Sequence, residues 1–287
     1  MPRYAYVNGR YLPHGQAAVH IEDRGYQFAD GVYEVVPVAG GRSVDEIPHL
    51  DRLERSLAEL HIAMPISRRA LELVSRELLR RNDLRDGLIY IQVTRGVAPR
   101  SHAFPVHARP ALVMTTKRMD FAGQSKFKDG VAVITVPDLR WARRDIKTIN
   151  LLPNCLAKQA AAEAGAYEAL QLDDEGNVTE GTSSNAWIVA RDGKLVTRHL
   201  SNDILHGVTR RTILAIATEE GVVFEERPFT LEEALEAREA FVTSATSFVT
   251  PVVEIDGGRI GDGKPGPLTR RLLAWYREYM AGLRDSA

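Results

Sequence analysis

WARRDIKTINLLPN, residues 141–154, carries Lys147 between Ile146 and Ile149 and beside Thr148 and Asn150. It is entered from the apolar run VAVITV at 131–136. Lys147 therefore reads as the edge of an apolar pocket, where burial disfavours an ammonium and favours the neutral amine. A solvated lysine at a strand end fits the same peptide equally well. Working outward, NVTEGTSSNAW at 177–187 adds a carboxylate, Glu180, and Gly181, which lets backbone approach a ligand. Its small hydroxyl and amide side chains, Ser183 and Ser184 among them, stand directly before the apolar strand AWIV.

An amine, a carboxylate and a set of small donors are what pyridoxal phosphate requires: a lysine for its aldehyde, an anion facing the pyridinium nitrogen, and donors for the phosphate. Further along, LHGVTRR at 205–211 opens a helix, and its first N–H groups with the Thr209 hydroxyl form a natural anion site. An ordinary helix cap reads the same way. Thr246, in the Thr/Ser-rich bend of FVTSATSFVT, offers a second phosphate hydroxyl.

The rest of the chain bounds the possibilities. Its 287 residues, 44% hydrophobic and 26% charged, are those of a globular protein of one large or two modest domains. Thirty-seven Lys and Arg against 38 Asp and Glu leave a net charge of -1, which argues against a nucleic-acid or anionic-membrane surface. Cys155 is the single cysteine; it has no intramolecular disulfide partner and belongs to no zinc-ligand cluster. MPRYAYVNGRYLP lacks the apolar core of a secretion signal, no run nears about 18 apolar residues, and a cytoplasmic location is expected. Neither GxGxxG nor a P-loop is present.

Taken in order, YAYVNGRYLP reads as a hairpin turning at Asn8-Gly9, and VYEVVPV as an alternating strand that begins near Tyr33. HLDRLERSLAELHI places Leu50, Leu53, Leu57 and Leu60 on one helical face; Arg52 lies one position off that stripe, where solvent or an intrahelical ion pair accounts for it. RRALELVSRELLRR is a second amphipathic helix with a charged outer face. Residues 1–120 are expected to form a small α/β domain with a mixed sheet, residues 115–130 a polar linker, and residues 121–287 a larger domain that includes Lys147.

IKTINLLPN, VTEGTSSN and LHGVTRR, in that order and spacing, resemble the fold-type IV pyridoxal-phosphate aminotransferases, the group holding D-amino-acid and branched-chain aminotransferases and aminodeoxychorismate lyase. The resemblance implies a small N-terminal α/β domain and a larger C-terminal domain with a pseudo-barrel β core. It implies that Lys147 anchors the cofactor and moves the substrate proton while Glu180 faces the ring nitrogen. Cofactor contacts are implied for Arg52, Ser183, Ser184, Leu205, Val208, Thr209 and Thr246. The loop TRGVAPRSHAFP contains PRSH, similar to the PRNH-type segment of D-amino-acid aminotransferases with serine in place of asparagine. By that likeness Arg100 and His102, reaching from the neighbouring subunit of a homodimer, clamp the substrate carboxylate with Tyr33. The implied reaction is ping-pong transfer of an amino group from a D-amino acid to a 2-oxo acid. A branched-chain or (R)-amine aminotransferase, aminodeoxychorismate lyase, or a cofactor-binding protein without turnover are the alternatives.

Overall fold

Asn8 and Gly9 have φ of 45° and 91°, the left-handed pair that a two-residue hairpin turn demands. They close β1 (Tyr4–Val7) onto β2 (Arg10–Pro13), with Val7 opposite Arg10. The computed structural model describes residues 3–121 and 124–282. The chain divides into two compact units, Met1–Ala122 with Ile146–Asn150, and Gly123–Asp145 with Leu151–Ala287.

In the first unit α1 (Arg24–Phe28) precedes β3 (Gly31–Ala39) and the short β4 (Arg42–Ser43), and α2 (Glu46–Glu59) and α3 (Arg68–Asn82) then lead to β5 (Gly87–Thr94) and β6 (Ala111–Arg118). The sheet runs β2-β1-β6-β5-β3-β4. Every pairing in it is antiparallel, where a mixed sheet was expected. The reason is the helical pair: two helices between β3 and β5 return the chain so that the strands run in opposite senses. Alternation along β3 sends Val32, Val36 and Val38 into a core shared with Leu50, Leu53 and Leu57 of α2. Glu34 lies on the same inward face of β3 and is fully buried. Ser67 caps α3 by accepting the Ala70 N–H, and two of the arginines on its charged face pair within the helix, Arg80 and Arg81 with Glu77. Residues 115–118, counted as linker from the sequence, belong to β6, because Thr115 and Thr116 complete its ladder with Tyr90 and Ile89.

The second unit contains α4 (Lys126–Asp129), β7 (Val131–Pro137), α5 (Leu152–Glu163), β8 (Glu168–Leu172), β9 (Val178–Gly181), β10 (Asn185–Val189) and β11 (Leu195–Thr197). It continues with α6 (Val208–Glu219), β12 (Phe224–Glu226), α7 (Leu231–Leu235), β13 (Glu239–Ser244), β14 (Phe248–Ile255), β15 (Gly258–Arg259) and α8 (Pro267–Met280). Its sheet runs β12-β11-β10-β13-β14-β7-β8-β9, with β15 on β14. β7 is parallel to both neighbours, β8 and β14, and its VAVITV run is what such a strand needs. Trp187 stacks on Phe241 at 5.4 Å, and Glu239 accepts the Leu268 and Thr269 N–H groups to cap α8. Among the described residues no helix is long and apolar enough to cross a membrane.

Candidate functional site

Lys147 sits on the first unit, although the sequence places it in the second domain. Its segment adds to the edge of β3: the Tyr33 N–H donates to the Lys147 carbonyl at 3.0 Å, and the Ile149 N–H donates to Gly31 at 3.1 Å. Ser56 on α2 accepts the Lys147 N–H at 3.3 Å, and Ile146 enters the unit's core. Backbone bonds and apolar burial therefore outweigh chain position in deciding where this lysine belongs. Gly31 is required for the close pairing of β3 with β5, since a Cβ there would stand 2.6 Å from the Val93 carbonyl oxygen, and it would also lie 3.2 Å from Ile149 Cδ1. The side chain is half-buried, with Nζ 4.2 Å from the centre of the Tyr33 ring. Tyr33 itself stacks on Tyr90 at 5.6 Å.

Arg52 is buried and paired across to β3. Its Nε and Nη2 donate to the two oxygens of Glu34 at 2.7 and 2.8 Å, and Nδ1 of His49 meets Glu34 Oε2 at 2.8 Å. Burial alone raises the Glu34 carboxyl, but the Arg52 charge and the bonds from Arg52 and His49 outweigh it and hold Glu34 well below the usual carboxylate range. Burial also pushes His49 below its ordinary value, against the pull of Glu34. His49, Arg52 and Ser56 form a polar stripe at i, i+3 and i+7, adjoining the leucine stripe and equally buried. Sequence spacing detects the leucines alone, because a polar stripe reads as solvated face. The available signal is Glu34, a carboxylate at an inward position of an alternating strand.

Arg100 and His102 are exposed on a loop of the same unit, and both rest on the Phe28 ring, the guanidinium at 4.7 Å and the imidazole at 5.5 Å.

In the second unit Glu180 ends in a buried network. Arg140 Nη1 and the Leu205 N–H donate to Oε1, and Asn185 Nδ2 donates to Oε2 at 3.0 Å. Arg140 gives its Nε and Nη2 to Asp138, at 2.9 and 2.7 Å. Burial pushes the Glu180 carboxyl up, with Arg140 and the Leu205 N–H opposing it. Asn185 also donates to the Leu205 carbonyl at 3.0 Å, tying the carboxylate to the approach of α6. That helix begins with Gly207 at its N-cap, a residue with no side chain to accept the first N–H groups; Val208 and Thr209 follow, both buried. A Cβ on Gly207 would meet Asn185 Oδ1 at 2.0 Å, so any side chain there would displace the amide that bonds Glu180 and Leu205. Ser184 donates to Glu168 at 3.2 Å and Thr182 makes a shorter bond to it, while the exposed Ser183 lies 3.5 Å away. Thr246 is half-buried in a bend where the Ser244 hydroxyl accepts the N–H groups of Thr246 and Ser247. Asp138, Arg140, Asn185 and Glu168 escape sequence reading: nothing separates Arg140 from Arg143 and Arg144, or Glu168 from a surface glutamate, before the strands assemble.

Residues 31–255 match the family model for amino-transferase class IV. The chain is 41% identical over 276 residues to a D-alanine aminotransferase of Staphylococcus haemolyticus, covering 96% of this chain and 97% of the relative. It is 44% identical over 265 residues to the D-alanine aminotransferase of Bacillus licheniformis, covering 92% and 93%. Among solved structures, a T.th. branched-chain amino acid aminotransferase with pyridoxamine 5'-phosphate superposes with a TM-score of 0.92 at 26% identity, over 99% of this chain and 96% of that one. The chain belongs to the class IV aminotransferases.

Proposed function

We propose that the protein is a pyridoxal-phosphate-dependent D-amino-acid aminotransferase, a cytoplasmic homodimer that moves the amino group of D-alanine, D-glutamate and similar D-amino acids to 2-oxo acids such as 2-oxoglutarate. The observation that carries this reading is the 41% and 44% identity, over nearly the whole chain, to relatives named D-alanine aminotransferase. The donor set fits the cofactor. A half-buried amine rests on an aromatic ring, a buried carboxylate has raised proton affinity, and a helix start has a glycine N-cap that leaves its N–H groups for an anion.

When bound, pyridoxal phosphate supplies the aldehyde that takes up the amino group and a ring that stores the electron pair released at Cα. Lys147 is its covalent anchor. The Lys147 amine would also be the base that takes the Cα proton. Glu180 keeps the ring nitrogen protonated, and Leu205 holds Glu180 through its N–H. Val208, Thr209 and Thr246, with Arg52, Ser183 and Ser184, are the phosphate and ring contacts of this proposal. Tyr33, with Arg100 and His102 contributed by the neighbouring subunit, grips the substrate carboxylate. Holding the carboxylate at that end presents the Cα proton of the D enantiomer to Lys147.

A branched-chain aminotransferase is the second reading, favoured by the structural likeness at a TM-score of 0.92. Mixing loaded enzyme separately with D-alanine, L-alanine, L-leucine and (R)-phenylethylamine, and following the visible absorbance of the cofactor, separates the two. Bleaching by D-alanine and not by the L-amino acids is expected. Bleaching by L-leucine in preference to D-alanine would transfer the protein to the second reading.

A further inference from the structure

Arg24 is 3% exposed, yet its guanidinium is aimed at an exposed loop. Nη1 donates to the Ser101 carbonyl at 2.5 Å and to Ala103 at 3.4 Å, and Nη2 donates to His102 at 3.4 Å. Residues 99–105 belong to no strand or helix, so these three successive carbonyls are a backbone anchor for a segment without a ladder of its own. Asp30 fixes the anchor from behind. Its Oδ2 accepts Arg24 Nε and Arg95 Nε, both at 2.7 Å, and Oδ1 accepts Arg95 Nη2 at 3.0 Å. Arg95 in turn donates to the Leu60 and His61 carbonyls and lies 3.6 Å from the centre of the Phe104 ring. Two guanidinium groups sharing one carboxylate thus hold the loop over residues 101–104.

Phe28 completes the arrangement. One turn along α1 from Arg24, its ring carries Arg24 at 4.8 Å, Arg100 at 4.7 Å and the His102 ring at 5.5 Å. A planar guanidinium is suited to this combination, since it spans several carbonyls while stacking on a ring; a lysine ammonium does neither as well. Two exposed cationic or polar side chains on an irregular loop lose much conformational freedom when they must converge on one carboxylate. Seating them beforehand on a common ring above an anchored backbone removes most of that cost.

We propose that Arg24 and Phe28 are positioning residues that pre-organise the Arg100 and His102 carboxylate clamp, setting affinity for the substrate carboxylate without touching it. This rests on the reading of Arg100 and His102 as that clamp. The test uses loaded holoenzyme and propionate, a carboxylate without an amine, titrated by the change in cofactor absorbance, on wild type, Arg24→Lys, Phe28→Leu and Arg100→Ala. Arg24→Lys keeps a cation for Asp30 but cannot span the three carbonyls, and Phe28→Leu keeps bulk but removes the ring face. Each is expected to weaken propionate binding by about ten-fold, with cofactor retention and thermal unfolding close to wild type. Phe28→Leu decides the matter by itself if Arg24→Lys fails to fold. Weakening by Arg100→Ala while both positioning variants bind within two-fold of wild type overturns the proposal and leaves the clamp standing. No weakening by Arg100→Ala removes the clamp itself, and the positioning role with it.

Discussion

Two buried carboxylates, one in each unit, face an arginine and are driven to opposite proton affinities. Glu34 takes two N–H groups from Arg52 and a ring nitrogen from His49, and is held below its ordinary value despite complete burial. Glu180 takes one N–H of Arg140, whose Nε and Nη2 are committed to Asp138, and burial prevails to raise it. The difference is how each guanidinium is shared. Arg52 gives two N–H groups to Glu34 alone, with His49 bonded beside it, whereas Arg140 gives Glu180 one N–H and Asp138 two, and Arg144 stands 3.3 Å from Asp138 rather than at Glu180. Burial beside an arginine therefore says little about a glutamate's role; the division of the arginine says more. A carboxylate fully matched by its cation reads as scaffold, and one left partly unmatched can share a proton with another group.

Exchanging each carboxylate for its amide tests this contrast directly, and the largest effect is expected at Glu180. Glu180→Gln should slow the half-reaction with D-alanine by about 10²–10³, because an amide no longer favours a protonated ring nitrogen. Stopped-flow measurement at matched cofactor occupancy checks it, and a rate within a few-fold of wild type would detach Glu180 from the ring. The apo-protein of this variant should be at least as stable as wild type at neutral pH, since a raised carboxyl costs stability once it ionises.

Glu34→Gln should do the reverse, lowering unfolding free energy by about 3 kcal/mol by leaving Arg52 buried without its counter-charge. Urea denaturation measures this, and a loss under about 1 kcal/mol would contradict the scaffold role. Its pH dependence sharpens the point. The native Glu34 carboxyl lies below its unfolded value of about 4.3, so its contribution is complete above that pH and is lost as pH falls. The gap between wild type and Glu34→Gln should therefore narrow below about pH 4.3.

Arg52→Ala is expected to have the most divided effect. It removes the partner of Glu34, and under the proposed phosphate contact it also weakens cofactor retention by roughly 1.5 to 3 kcal/mol. Repeating it in the Glu34→Gln background separates the two. Equilibrium dialysis of pyridoxal phosphate should still record the loss there; an unchanged dissociation constant would confine Arg52 to the scaffold.

Much of the fold was legible beforehand because it depends on short-range pattern. The Asn8-Gly9 turn, the leucine stripe of α2, the charged face of α3, and the VAVITV strand are each specified over short stretches by backbone preference and apolar period. Lys147 and Glu180 stood out as chemistry because a lysine among isoleucines and a carboxylate among small hydroxyls are unusual local company. The sequence by itself determined these elements and singled out Lys147 and Glu180 as the groups proposed to react. Tertiary structure alone decided which cation meets which anion. Arg52 with Glu34 is separated by 18 positions, Arg140 with Glu180 by 40, and Arg24 with Ser101 by 77. It also decided that Lys147 joins the unit of β3, through hydrogen bonds to Tyr33 and Ser56. The physical reason is that backbone preference acts between neighbours in the chain, whereas charge pairing and burial act between neighbours in space, and those are set only when the sheets have closed over their cores.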